Sequence, residues 1–196
     1  MVTNNFYHKL FIFKNLIYNI VNTYFYKFYY YFQPNLRIGK HVSFYGKPFF
    51  RNHPGASIVI NNYCTFRSKS TSNLIGINRP CMISTLTSEA EIIIGEKCGF
   101  SGTVIGAFLK IELEDNVRCG ANTLITDSDW HTDDPRSGKS KPVFIRKNVW
   151  LGEGVKVLKG VTIGENSVIG AGSIVVKSIP ANVIAAGNPC RIIKYI

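Results

Sequence analysis

Residues 145–180 run IRKNVW, LGEGVK, VLKGVT, IGENSV, IGAGSI and VVKSIP, a period of six held through six successive units. Ile145, Leu151, Val157, Ile163, Ile169 and Val175 share one phase. Val149, Val155, Val161, Ser167 and Ser173 share the phase four later, and Gly152, Gly164 and Gly170 directly follow the first. An aliphatic residue at every sixth position does not make one face of an α-helix, and the intervening glycines weaken a helix further. The pattern suits short flat strands joined by tight turns, each strand sending one large residue to a shared axis and each turn using a residue that tolerates unusual φ. A β-sandwich matches such spacing by chance over a unit or two, not over six in phase. Weaker copies stand at IGKHVSF (38–44), IGEKCGF (94–100) and IELEDNVRCGANTLIT (111–126), with phase slips between them, so the coil covers most of residues 37–180.

One segment breaks the repeat. Residues 127–142, DSDWHTDDPRSGKSKP, are polar and rich in turn formers, and they separate the phase that ends at Ile125 from the one that restarts at Ile145. This stretch must loop out of the coil, and a long excursion from a rigid scaffold is where function is sought.

Ahead of the coil, residues 6–32 lack Pro and Gly, and Phe6, Leu10, Phe13, Ile17, Ile20, Tyr24, Phe28 and Tyr31 recur at helical steps. Asn15, Asn19 and Asn22 mark the opposite face, although Phe11, Ile12 and Tyr26 intrude on it; Lys9, Lys14 and Lys27 flank the stripe. No window reaches the roughly 18 uncharged apolar residues of a spanning helix, and no small-residue cleavage site follows a short apolar run. Two readings stay open for this helix: it lies in a membrane interface with its lysines toward anionic lipid, or it packs within its own oligomer. On the first, removing residues 1–33 leaves a soluble assembly that has lost its vesicle affinity. Pro34 closes the segment. The chain therefore divides into an amphipathic aromatic and basic helical segment (1–33), the coil (34–187) with its loop at 127–142, and a short tail (188–196).

Charge bears on partners. The formal charge is +11, and no Asp or Glu precedes Glu89, so a basic half faces an acid-containing one. Such a half attracts polyanions, but no helix-turn-helix, RRM or zinc-finger pattern accompanies it, and no nucleic acid is expected. Five cysteines, Cys64, Cys81, Cys98, Cys119 and Cys190, contain no CxxC pair. They point to a reducing cytosol and neither to a disulfide framework nor to a zinc knuckle. His8, His41, His53 and His131 are too dispersed for a three-histidine zinc site, so no metal is expected. No phosphate loop, GxGxxG or HExxH occurs.

The hexapeptide run, the loop with His131, KPVFIRKNVWLGEGV and then VTIGENSVIGAGSIVVKSIPANVIAAGNPCRII together resemble the maltose/galactoside acetyltransferase group and its relatives that O-acetylate bacterial surface polysaccharides. The match is dense from about residue 94 onward. The resemblance implies an all-β fold, a left-handed parallel β-helix of three walls, assembled as a homotrimer with active sites at subunit boundaries. It implies acetyl-CoA as co-substrate, a sugar hydroxyl as acceptor, and His131 as the general base. That role fits the chemistry: an alcohol is a poor nucleophile near neutral pH, and a neutral imidazole is well placed to take its proton. Asp127 or Asp129 either holds the imidazole tautomer or serves the turns of the loop; the residues leave both open. By the same resemblance Trp150 shapes the acyl or acceptor pocket. Glu153, Ala171, Val176, Lys177, Arg191 and Lys194 fall on cofactor contacts, and the cations among them suit the CoA phosphates. Ser101 stands where the galactoside enzymes carry an asparagine of the acceptor and oxyanion region. His41 and His53 read as structural. The acceptor expected is a surface polysaccharide or its lipid-linked precursor, met in the cytoplasm or at the inner face of the membrane. A nucleotide-sugar or antibiotic acetyltransferase of the same fold, a β-helical carbonic anhydrase and an inert scaffold are the alternatives.

Overall fold

The computed structural model describes residues 2–196, without the side chains of residues 2–6, 8, 11 and 15, so the places expected for Phe6, His8, Phe11 and Asn15 lie outside the described residues. One helix, α1 (Val2–Tyr31), precedes twenty strands. Three walls collect them. Wall one holds β1 (Leu36–Ile38), β4 (Ser57–Ile60), β7 (Glu91–Ile94), β10 (Lys110–Leu113), β13 (Val143–Ile145) and β16 (Thr162–Ile163). Wall two holds β2 (Ser43–Tyr45), β5 (Thr65–Arg67), β8 (Gly99–Ser101), β11 (Arg118–Ala121), β14 (Trp150–Leu151), β17 (Val168–Ile169), β19 (Val183–Ala186) and β20 (Arg191–Tyr195). Wall three holds β3 (Phe49–Arg51), β6 (Met82–Thr85), β9 (Val104–Ala107), β12 (Leu124–Thr126), β15 (Lys156–Val157) and β18 (Ile174–Val175). Successive strands visit the walls in turn and pair in parallel with the strand three later, so β1 to β18 wind six coils of a parallel β-helix.

The six-residue period has a direct meaning in this geometry: each unit crosses one wall. Ile145, Leu151, Val157, Ile163, Ile169 and Val175 all point inward and are fully buried, one per wall for two coils. Val149, Val155 and Val161 fill the corners, and where that phase carries serine the hydroxyl finds a backbone partner, Ser167 with the Pro180 carbonyl at 2.8 Å and Ser173 with Gly170 at 2.6 Å. In the lower coils rings replace aliphatics. Phe66 stacks on Phe100 at 4.8 Å, and Phe44 and Phe50 close on Phe66 at 5.6 Å each. Each buried side chain of this size contributes about 1.5–3 kcal/mol.

The corner between walls one and two needs a left-handed residue in every coil. His41, Tyr63, Lys97, Asn116, Asn148, Asn166 and Asn182 occupy it with φ between 55° and 62°. Asparagine suits that region because its short amide bonds locally. The upper four form a ladder, each amide nitrogen donating to the next amide oxygen at 2.9 Å. His41 stacks on Tyr63 at 4.9 Å.

A solenoid must close its ends. At the lower end α1 lies across the core: Tyr26 meets Phe44, Tyr30 meets Phe50, and the Thr23 hydroxyl accepts from the Phe44 N–H at 2.9 Å. Tyr30 is 3% exposed and its phenol donates to the Pro48 carbonyl at 2.6 Å. The latter half of α1 thus caps its own chain, which neither reading of the sequence anticipated. At the upper end, residues 188–196 are no loose tail: β20 returns antiparallel against β19.

The sequence also led us to expect a single excursion, and the structure corrects this. Residues 127–142 carry no strand, and neither do residues 68–81 between β5 and β6, apart from a short 3-10 turn at Ser70–Ser72. This second departure is nearly as long as the first but carries Leu74, Ile75 and Ile77, so it reads in the sequence as a phase slip of the repeat.

Candidate active site

The 127–142 loop is tied at its neck. Asp127 is wholly buried, and its carboxylate accepts three backbone N–H bonds from the preceding coil: Phe108 at 2.8 Å on Oδ1, Leu109 at 2.7 Å and Lys110 at 2.8 Å on Oδ2. Its carbonyl receives the Lys141 N–H at 2.9 Å, which closes the loop on itself. Asp129 Oδ2 accepts from the Gly138 N–H at 3.0 Å and from the Lys159 ammonium, which also reaches the Gly138 carbonyl at 3.1 Å. The Lys159 bond, then the Gly138 N–H, hold the Asp129 carboxyl below its ordinary range. Both acids are engaged in bracing the loop, and within one chain neither bonds the imidazole of His131. Asp129 bonds within the loop as a turn residue does, whereas Asp127 ties the loop to the neighbouring coil, a role that neither alternative named.

Trp130 was not singled out from sequence, yet it sets the position of its neighbour. Its backbone is left-handed at φ 71°, its indole N–H donates to Thr126 Oγ1 at 2.9 Å, and its ring meets Phe108 edge-on at 5.6 Å. The ring lies over Gly106, where a Cβ would stand 2.5 Å from the indole, so only glycine admits it. With Trp130 turned down onto wall three, His131 is turned out. The His131 carbonyl accepts from the Ser137 hydroxyl and, at 3.1 Å, from the Asp134 N–H, while its side chain stands exposed. The signal available was a bulky ring beside a histidine, with a glycine in the wall below.

The remaining candidates fall at two edges of wall three and on wall two. Val176 and Lys177 lie exposed just beyond β18, at the same edge as the 127–142 loop, with Lys159 one coil lower. Glu153 and Ala171 follow one another up the opposite edge, where the Gly172 N–H donates to the Glu153 carbonyl at 2.7 Å and a Cβ on Gly152 would meet Ala171 N at 2.6 Å. Arg191 and Lys194 stand exposed on β20, paired with Ala186 and Ile184. Trp150 is 54% exposed on the outer face of wall two, in register between Arg118 and Val168. Ser101 ends β8, is nearly buried, and accepts from the Asn73 amide of the second excursion at 3.1 Å. That excursion is clamped over the corner by Asn122, which takes the Asn78 N–H at 3.1 Å and donates to the Gly76 carbonyl at 2.8 Å. One chain therefore puts His131 on the same edge as Val176 and Lys177, two coils below them, and leaves Trp150, Ser101 and the other cofactor candidates on different surfaces. Among the described residues no cluster of His, Cys, Asp or Glu could hold a metal ion.

Comparison with known proteins gives a consistent result. Residues 142–177 match the family described as bacterial transferase hexapeptide, six repeats. Galactoside O-acetyltransferase of Escherichia coli (strain K12) is 45% identical over 101 residues, 50% of this chain and 49% of that protein. The Lactococcus lactis galactoside O-acetyltransferase is 61% identical over 57 residues, 29% of this chain and 28% of that one. The chain thus spans half or less of the length of these curated relatives. The crystal structure of a maltose O-acetyltransferase from Clostridium difficile 630 aligns over 83% of this chain and 71% of its own, at 30% identity and a TM-score of 0.51.

Proposed function

Because this chain belongs to the bacterial hexapeptide-repeat transferase family, we propose that it is an O-acetyltransferase that moves the acetyl group of acetyl-CoA to a sugar hydroxyl. The observation that carries this reading is the braced 127–142 loop, in which Asp127 and Trp130 bond to the coil and the His131 imidazole stands exposed at the edge of a rigid wall. A general base needs that freedom, since it must meet a substrate proton and not a neighbour's acceptor. The His131 imidazole removes the proton of the acceptor hydroxyl as its oxygen bonds to the thioester carbonyl carbon. As the C–S bond breaks, the imidazolium returns a proton to the CoA sulfur, so atoms and charge balance. Ser101 with Asn73, and Trp150, are assigned to the acceptor and acyl surroundings. Glu153, Ala171, Val176 and Lys177 are assigned to the pantetheine arm, and Arg191 and Lys194 to the phosphates.

The separation of these groups on one chain supports a homotrimer of left-handed β-helices, in which the loop edge of one copy completes the face of the next. The acceptor proposed is a surface polysaccharide or its lipid-linked precursor, because α1 leaves an extensive aromatic surface uncovered. All five cysteines are buried and unpaired, which suits the cytoplasmic face of the membrane. Among the described residues no helix is long and apolar enough to cross a membrane, so the contact proposed is peripheral.

The test is release of CoA thiol from acetyl-CoA by the native chain and by His131→Ala, with sugar hydroxyl and sugar amine acceptors. Acceptor-dependent release by the native protein should fall by about 10² to 10⁴ in the variant, with acetyl-CoA binding retained. Equal turnover by the two proteins removes His131 as the base, and a native protein that neither binds nor turns over acetyl-CoA removes the acetyltransferase reading.

A further inference from the structure

Capping the solenoid uses Thr23, Tyr26 and Tyr30 and leaves the other sides of α1 bare. Tyr24, Phe28, Tyr31 and Phe32 are each more than two-thirds exposed. They are not scattered: Phe32 touches both Phe28 and Tyr31 edge-on at 5.4 Å, so the last turn of α1 presents a continuous aromatic rim.

Under that rim opens a cleft between α1 and the first coil, walled by Lys27, Tyr30, Tyr31, Arg37, Lys40 and Asn62. Three cations converge there, and among the described residues none of them takes part in an ion pair. Lys27 is half-buried, and its ammonium has one long contact, to the Gly39 carbonyl at 3.5 Å. Burial holds its pKa below the ordinary lysine range, which an anion in the cleft would reverse. The acid next to the cleft, Glu96, is occupied by the Asn62 amide at 2.8 Å, and residues 1–88 contain no Asp or Glu.

We infer that this cleft seats the phosphate of an anionic lipid headgroup on Lys27, Arg37 and Lys40, while the rim of Tyr31, Phe32 and Phe28 enters the interfacial layer of the bilayer. The chemistry recognised is a phosphate ester. A lipid is its source, because the exposed Tyr31 on the cleft wall continues into the exposed rings of Phe32 and Phe28, and rings of this kind favour the boundary between acyl chain and headgroup. A second copy of the chain fits less well, since it would bring like charges to the same place. The inference rests on the reading of α1 as a peripheral anchor and adds to it a defined headgroup site.

The experiment is co-sedimentation of the full chain with phosphatidylcholine vesicles and with vesicles containing phosphatidylglycerol. It compares the native protein with Arg37→Gln/Lys40→Gln, with Phe28→Asn/Phe32→Asn, and with Lys97→Gln as a surface cation two coils away. Each cation near an anionic surface strengthens partition about five-fold, so the Arg37/Lys40 variant should lose about thirty-fold on anionic vesicles and nothing on neutral ones. The aromatic variant should weaken binding to both, and millimolar inorganic phosphate should not displace the native chain. If Lys97→Gln loses as much per charge removed as the Arg37/Lys40 variant does, the attraction is diffuse and the headgroup site is wrong. Displacement by inorganic phosphate makes it a site for free phosphate. If the aromatic variant binds neutral vesicles as the native chain does, the anchor itself fails, whatever the cations do. CoA release on the same samples keeps the acetyltransferase reading separate from all three.

Discussion

Replacing Asp127 by asparagine preserves volume and removes one charge, and it separates two roles for this residue. Oδ2 accepts two N–H bonds and Oδ1 one, so an amide oxygen does best in the Oδ2 position, which leaves the amide nitrogen facing the Phe108 N–H across 2.8 Å, donor against donor. Hydrogen bonds to a charged acceptor contribute about 1.5–3 kcal/mol each and an orphaned buried donor costs about 1–3 kcal/mol. Two weakened bonds and one lost, less the desolvation that asparagine no longer suffers, come to about 3 kcal/mol. For a chain of this length that lowers Tm by about 6–12 °C. A thermal melt gives the stability, and CoA release under acetyl-CoA saturation gives kcat. Asp127→Asn should melt early and lose activity in proportion to the loosening of the loop neck, with more activity regained on cooling than His131→Ala regains. A variant that melts like the native chain and yet loses about 10⁴ in kcat would show the carboxylate acting on the imidazole, as in a triad, and would refute the anchoring argument.

Tyr30→Phe removes the phenol bond to Pro48 and should cost about 1 kcal/mol in urea unfolding. Burial, against the opposing bond from the Phe50 backbone and with a smaller push from Tyr29 and Tyr26, raises the Tyr30 pKa to about 12. Its share of stability is therefore complete below the ordinary tyrosine value of about 10 and lost as pH rises toward 12, a decline that Tyr30→Phe should lack. Asp129 has its pKa depressed, so its hold on the loop is complete above the ordinary carboxylate value of about 4 and lost as pH falls through the lower folded value. Hydrogen exchange in residues 128–140 should accelerate in that acid window, and in Lys159→Met it should already be fast at neutral pH. Asn148→Gly keeps the left-handed turn and loses the ladder, about 1–2 kcal/mol by urea unfolding, and Asn148→Ala should cost about 1 kcal/mol more for its φ of 59°. Gly106→Ala should displace Trp130 and reduce kcat with little change in the KM for acetyl-CoA, since a Cβ there enters the indole.

The upper coils were legible because each strand there uses one aliphatic residue per wall, so Ile145 through Val175 recur without interruption and all prove buried. The lower coils were less so. Phe44, Phe66 and Phe100 fill the same axis with rings, Cys64 and Cys98 take corner places that Val117 and Val149 hold above, and the 68–81 departure resets the phase. The helix was legible as a helix, but periodicity does not say that Tyr30 goes inward while Tyr31 stays out; that depends on the open end of a core which forms elsewhere in the chain. The deletion of residues 1–33 shows the consequence. It would strip Tyr26 and Tyr30 from Phe44 and Phe50, and the vesicle question calls for substitutions on the bare face instead. The exposure of His131 was readable from the polar stretch that carries it. Asp127 was not, because its partners Phe108, Leu109 and Lys110 lie one coil earlier and no local pattern joins them.

The two proposals constrain each other through the pitch of the coil. Parallel neighbours in a sheet stand about 4.8 Å apart, and the His131 loop leaves the fourth coil, so it lies about 14 Å beyond the first coil that α1 covers. The headgroup site on Lys27, Arg37 and Lys40 is level with that first coil, so the rise of the coils alone separates lipid from loop. An acceptor hydroxyl must therefore reach well clear of the headgroup layer, which a saccharide of several residues on a lipid carrier does and a bare lipid headgroup does not. Both ends of this distance are set by rigid packing: Tyr30 against Phe50 below, Asp127 and Trp130 against the coil of Phe108 above. Acceptor length should then govern turnover on vesicles more steeply than in solution. Vesicle-bound enzyme should prefer long lipid-linked acceptors, and protein carrying Phe28→Asn/Phe32→Asn should lose that preference while its rate on a free sugar stays the same. Equal length dependence in the two proteins would mean that α1 does not set the height of the site, and the coupling between anchor and chemistry would have to be abandoned.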